Sequence, residues 1–139
     1  MMGKGMRKLV RPLAAGVVLV PMAVIMMAAG RYQETAPAED VAKGKAAFER
    51  RCTGCHSLDR DKEGPRLAGV VGRKAGSVEG FPYSDALKAS AMVWDEALLN
   101  KWLAGPDTLV PGVEMDFHVP DAGERTEIIR YLRAMSGKP

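Results

Sequence analysis

Apolar side chains recur along the second half of the chain at helical spacing, and the polar positions between them carry recognisable stop and start signals. "EDVAKGKAAFERRC", residues 39–52, has acids in its first turn and places Val41, Ala47, Phe48 and Cys52 toward one side, which predicts a first helix. Residues 57–82 hold scattered Gly and Pro with no sustained period and read as loop. "SDALKAS" predicts a short helix with Ser84 as N-cap. A longer one starts at Asp95, carries Leu98, Leu99, Trp102 and Leu103 at helical spacing, and stops at Gly105-Pro106. The last is the clearest. Asp121 followed by Glu124 resembles a capping box, Ile128, Ile129, Tyr131, Leu132 and Met135 form the apolar stripe, and Gly137 ends it. No alternating run is long enough for a strand. The pattern therefore predicts an all-α domain of three to four short helices joined by long loops. Such a set makes a poor core for about 100 residues, so another group is expected at its centre.

The N-terminal pattern differs. Residues 12–30, "PLAAGVVLVPMAVIMMAAG", are nineteen positions without a charge, introduced by Lys4, Arg7, Lys8 and Arg11. A basic cluster before an apolar run is an export signal. The run is longer than a typical signal core and about the length of a span, so residues 1–30 are either a signal peptide, cleaved after Gly30 or Ala38, or an uncleaved membrane anchor. Residues 31–39 read as a short linker and 40–139 as the domain delivered across the membrane.

Charge changes the picture less than the pI of about 9.0 suggests. Four of the twenty basic residues lie in the first eleven positions, leaving sixteen basic against seventeen acidic from Arg31 onward. The domain itself is not basic, which removes the motive for a nucleic-acid partner.

The candidate chemistry lies in "RRCTGCHSL". Cys52 and Cys55 are the only cysteines and His56 follows directly, the attachment pattern of a c-type haem. On a helical turn the spacing brings both thiols to one side, where they can form thioethers with one porphyrin, with the neighbouring imidazole as proximal iron ligand. Zinc would need further ligands, and a redox dithiol normally sits in a βαβ pattern. A plain Cys52–Cys55 disulfide is allowed outside the cytoplasm but leaves the histidine unexplained.

From about residue 40 to 135 the chain resembles the class I cytochromes c, close to the mitochondrial and alphaproteobacterial type. The matching segments are "GKAAFERRCTGCH", "EGPRLAGVVGRKAGSVEGFPYSDALK", "MVWDEALLNKWLAGPDTLVPGVEM" and "ERTEIIRYLRAM". The resemblance implies one covalently attached haem c per chain and a monomeric electron-transfer protein that is not an enzyme. Its partners would be redox proteins, a quinol-cytochrome c reductase on one side and a terminal oxidase or other reductase on the other, with an inner-membrane tether if the N-terminal segment is retained. A peroxidase or gas binder with a labile sixth ligand is the alternative.

By the same resemblance His56 and Met115 are the axial iron ligands, and the Pro65 carbonyl holds the other imidazole nitrogen. Arg73, Tyr83 and Trp94 meet a buried propionate, Phe117 covers the haem edge, and Gly44 and Phe48 pack against Ile128 and Tyr131. In "VPGVEMDFHVP" His118 is the rarer residue, but only Met115 falls on the ligand position. Three features depart from the family pattern: the short loop "SLDRDKE", Leu87 in place of an asparagine, and Trp102 in place of a tyrosine. Trp102 can still donate its indole N–H toward the sulfur. The Met loop also carries Asp107, Thr108, Glu114 and Asp116, with Asp121 beyond it, where mitochondrial members carry lysines, so weaker salt dependence or a different partner is expected.

Overall fold

The computed structural model of the chain describes residues 37–137, so the expected signal or anchor segment lies outside the described residues. Five helices follow in order: α1 (Ala38–Arg51), α2 (Asp85–Ala89), α3 (Glu96–Ala104), α4 (Pro106–Leu109) and α5 (Ala122–Ser136). Among the described residues there is no strand, and an isolated antiparallel bridge joins Lys74 to Val93.

The helix starts follow their caps. The side chains of Ser84, Asp95 and Asp121 accept from the backbone N–H groups of Leu87, Leu98 and Glu124, respectively. Each satisfies a donor that the first helical turn cannot. α1 begins at Ala38, inside the stretch read as linker, and has Glu39 and Asp40 in its first turn, where the helix dipole favours acids. The single turn α4 was not expected. Pro106 ends α3, but it also occupies the first position of α4, where its missing N–H costs nothing.

α5 packs against both α1 and α3, so the first and last helices close the domain. Their crossing is tight at Gly44, where a Cβ would run into the Glu127 carbonyl oxygen and stand 2.8 Å from Tyr131 Cβ. One turn further along, Phe48 and Tyr131 meet with ring centroids 5.3 Å apart, and Ile128 is fully buried beside them. Gly44→Ala should force the helices apart. Overpacking of this kind costs about 1–3 kcal/mol, equivalent to a fall in thermal midpoint of several degrees for a domain of this size. Thermal unfolding of the purified holoprotein followed by circular dichroism checks it.

The Glu124 side chain departs from the capping-box expectation. It does not cap its own helix but accepts from Arg50 at 3.0 Å and Arg51 at 3.1 Å, the last two residues of α1. The hydrogen bond from Arg51, then that from Arg50, holds its carboxyl below the ordinary carboxylate range despite some desolvation. This ion cluster ties the start of α5 to the residues that immediately precede Cys52.

Candidate cofactor site

A cavity of about 730 Å³ opens between the Cys-x-x-Cys-His turn, α3, α5 and the loop around Met115. Its size is that of a small-molecule or cofactor site, and aliphatic side chains such as Leu67, Val70, Leu99 and Ile128 form much of its wall. Of the residues singled out in the sequence, Cys52, Cys55, His56, Pro65, Arg73, Tyr83, Trp94, Trp102, Met115 and Phe117 all line it. His118 is exposed and is not among the lining residues.

The motif leaves α1 as a turn. The Cys52 carbonyl accepts from the N–H groups of Cys55 at 3.2 Å and His56 at 2.8 Å, which brings both thiols and the imidazole to the same cavity. Cys52 is buried and Cys55 exposed, and both are free thiols. Burial, with Glu124 nearby, pushes the Cys52 thiol up to about 12. A hydrogen bond to Glu63 raises that of Cys55. Redox-active dithiols have a thiol lowered toward neutrality. This pair has the opposite electrostatics and does not suit thiol–disulfide exchange.

His56 Nδ1 lies 2.8 Å from the Pro65 carbonyl oxygen. A carbonyl only accepts, so Nδ1 carries the proton and Nε2 keeps its lone pair. Burial lowers the imidazole pKa, against the opposing effect of the Pro65 bond, and keeps the ring neutral. The ring is also wedged. A Cβ on Gly64 would stand 2.6 Å from both Nδ1 and Nε2. Sequence reasoning passed over Gly64, although its place directly before Pro65 was the available signal.

Met115 follows a Pro111-Gly112 turn in which Gly112 has φ +89, a left-handed value natural to glycine. The indole N–H of Trp102 donates to the Met115 sulfur at 3.1 Å. Trp102 is in turn packed edge-on against Trp94, with centroids 5.2 Å apart. Phe117, 40% exposed, is one of two large apolar side chains left exposed among the described residues and stands at the cavity wall.

Arg73 lines the cavity partly buried. Its guanidinium donates to the carbonyls of Ala68 at 3.0 Å and Arg66 at 2.9 Å, and no carboxylate among the described residues is within ion-pair distance. Burial lowers its pKa, while burial raises that of Tyr83 nearby. A desolvated cation without an anionic partner is costly. Its setting suits an acidic group brought in by a ligand.

These features fit a covalently held haem: two thiols and a neutral imidazole on one turn, a thioether held by an N–H donor, an apolar wall and a partly buried guanidinium awaiting an acid. The comparisons agree. Residues 41–136 match the cytochrome c family. The chain is 41% identical over 106 residues to cytochrome c 2.1 of Caenorhabditis briggsae, covering 74% of this chain and 95% of that protein. It is 38% identical over 109 residues to the cytochrome c-type cyt cy of Rhodobacter capsulatus, covering 75% of this chain and 55% of that protein. Among solved structures, cytochrome cH from Methylobacterium extorquens superposes with a TM-score of 0.64 at 45% identity, over 68% of this chain and 97% of that one.

Proposed function

Since the chain belongs to the cytochrome c family, whose covalently attached haem c lets it carry single electrons between redox partners, we propose that it does so on the periplasmic side of a bacterial inner membrane. Cys52 and Cys55 would hold the haem, and His56 and Met115 would ligate its iron. The observation that carries this reading is a single cavity lined by both thiols, a neutral imidazole with Nε2 free, and a sulfur fixed by Trp102.

The chain's own residues would do four things in that role. Pro65 keeps the His56 proton on Nδ1, so that Nε2 is permanently a donor atom. Trp102 restrains the Met115 sulfur. Arg73, Tyr83 and Trp94 offer charge and hydrogen bonds to a buried propionate. The aliphatic wall keeps water out, which lowers reorganisation during electron transfer. If His56 and Met115 both hold the iron, there would be no open coordination site for a substrate, and this argues against the peroxidase or gas-binding alternative. Rapid carbon monoxide binding by the reduced protein at neutral pH would favour that alternative instead.

The proposed partners are a quinol-oxidising complex as donor and an oxidase or reductase as acceptor. The charges at the cavity refine the choice. Three cations line the cavity, Arg51, Lys62 and Arg73, against four acids, Asp61, Glu63, Glu114 and Asp116, and Arg51 is paired with Glu124. Glu114 and Asp116 are exposed on the Met115 loop and have no ion-pair partner among the described residues. Electrostatic attraction to an acidic acceptor should therefore be weak. Stopped-flow oxidation by an acidic copper-site oxidase domain should vary with ionic strength by much less than the roughly 10- to 1,000-fold typical of steered pairs. A steep fall with added salt would contradict this.

Among the described residues no helix is long and apolar enough to cross a membrane. If the N-terminal segment were retained, residues 31–37 would allow a reach of at most about 25 Å at full extension, less than the roughly 35 Å expected of a linker extending to residue 40. Fractionation of cells with N-terminal sequencing of the native protein decides between a tethered and a released carrier.

A further inference from the structure

The loop that carries Met115 is fixed four residues downstream through Val119, Pro120, Asn100 and Arg125, none of which lines the cavity or belongs to a sequence motif. Val119 is fully buried, and its N–H donates to the Leu103 carbonyl of α3 at 2.7 Å. Arg125, from the first turns of α5, reaches the same point. Its Nη1 donates to the carbonyls of Val119 and Pro120, each at 2.8 Å, and its Nε donates to Asn100 Oδ1 on α3 at 2.7 Å. No carboxylate among the described residues pairs with this guanidinium. It therefore joins three separate elements, α3, α5 and the loop end, through neutral acceptors alone. Hydrogen bonds to a charged donor are the stronger kind, at about 1.5–3 kcal/mol each, and removing the donor would leave loop carbonyls without it.

The loop has a second attachment at its other end, where Trp102 of α3 donates to the Met115 sulfur. Between the two attachments stand only Asp116, Phe117 and His118, all exposed. Nothing in that short stretch can hold the sulfur if either end is released.

We propose that Arg125 and Asn100 form a latch that governs how readily Met115 leaves its place, making Arg125 a positioning residue for Met115 although it does not line the cavity. The proposal rests on Met115 being the sixth ligand. In the latched state the loop stays on α3; in the unlatched state it opens as a local unit while α1 and α5 remain packed. The coupling is a population effect. A competitor for the iron binds with an apparent affinity proportional to the fraction of molecules whose loop is open.

Imidazole is a suitable competitor, added to the ferric holoprotein while the methionine-to-iron charge-transfer band is followed. Arg125→Leu should bind imidazole about tenfold more tightly than wild type, equivalent to about 1.4 kcal/mol of loop opening. Asn100→Ala should shift it in the same direction by about threefold, and Arg125→Lys should recover part of the loss. Gly44→Ala, which loosens the distant α1–α5 crossing, serves as the control for general destabilisation. If Gly44→Ala shifts imidazole binding as much as Arg125→Leu at equal loss of global stability, or if neither latch variant shifts it, the latch is wrong. Should Arg125→Leu fail to fold, the milder Asn100→Ala carries the same comparison. A wild-type protein without the methionine band would instead remove the ligand assignment, and the latch with it.

Discussion

Met115→Ala should abolish the methionine-to-iron charge-transfer band of the oxidised protein and lower its reduction potential by on the order of 0.2 V, a part of the roughly 0.8 V over which axial ligands set haem potentials. The direction follows from ligand chemistry. A thioether is soft and neutral, and it favours ferrous over ferric iron more than water or imidazole does. In this chain the sulfur also accepts an indole N–H at 3.1 Å, which draws electron density away from it and should reinforce the preference. His118→Ala should leave both band and potential in place, because His118 is exposed and does not line the cavity. The measurements are an absorption spectrum and a redox titration of each holoprotein. Persistence of the band in Met115→Ala, or its loss in His118→Ala, would overturn the assignment. The alanine variant should also bind carbon monoxide rapidly once reduced, because it frees the coordination position proposed for the methionine.

The parts of this molecule that were legible in the sequence are those governed by local physics. Ser84, Asp95 and Asp121 announced three helix starts because a capping bond closes over three residues, and the structure has all three. The Cys-x-x-Cys-His turn was legible for the same reason. Two local signals were ambiguous. Pro106 ends one helix and begins another, and a breaker does not say which. Glu124 stood at a capping position, yet two arginines from a helix 73 and 74 residues away claim its carboxylate. No local pattern could report that competition, which is decided by how α1 and α5 cross. Arg125 was unremarkable for a similar reason: an arginine on an amphipathic helix is ordinarily solvated, and only the tertiary approach of Val119, Pro120 and Asn100 gives it partners. The role proposed for Arg73 comes from resemblance, whereas its engagement of two loop carbonyls emerged only from the fold.

Gly64→Ala is expected to be strongly damaging, and the reason is steric and not conformational. Gly64 does not have the left-handed φ of Gly69, Gly72 or Gly112, so alanine could adopt its backbone without strain. The obstacle is His56, whose ring nitrogens would each lie 2.6 Å from the new carbon, closer than real Cβ atoms approach. An unrestrained side chain would move aside, but this ring is held at Nδ1 by the Pro65 carbonyl at 2.8 Å. Any rotation that relieves the clash weakens that bond and turns Nε2 away from its direction in the cavity. The overlap should cost about 1–3 kcal/mol, and loss of the hydrogen bond about 1 kcal/mol more. Haem-loaded protein should fall in yield, and the fraction that loads should melt several degrees lower. Gly54→Ala is the matched control. It lies inside the motif itself, between the two cysteines, yet a Cβ there meets nothing within 4 Å. Haem staining after denaturing electrophoresis and thermal unfolding of both variants separate the two positions. If Gly64→Ala loads and melts like Gly54→Ala, the packing of Gly64 against the imidazole is not what orients His56.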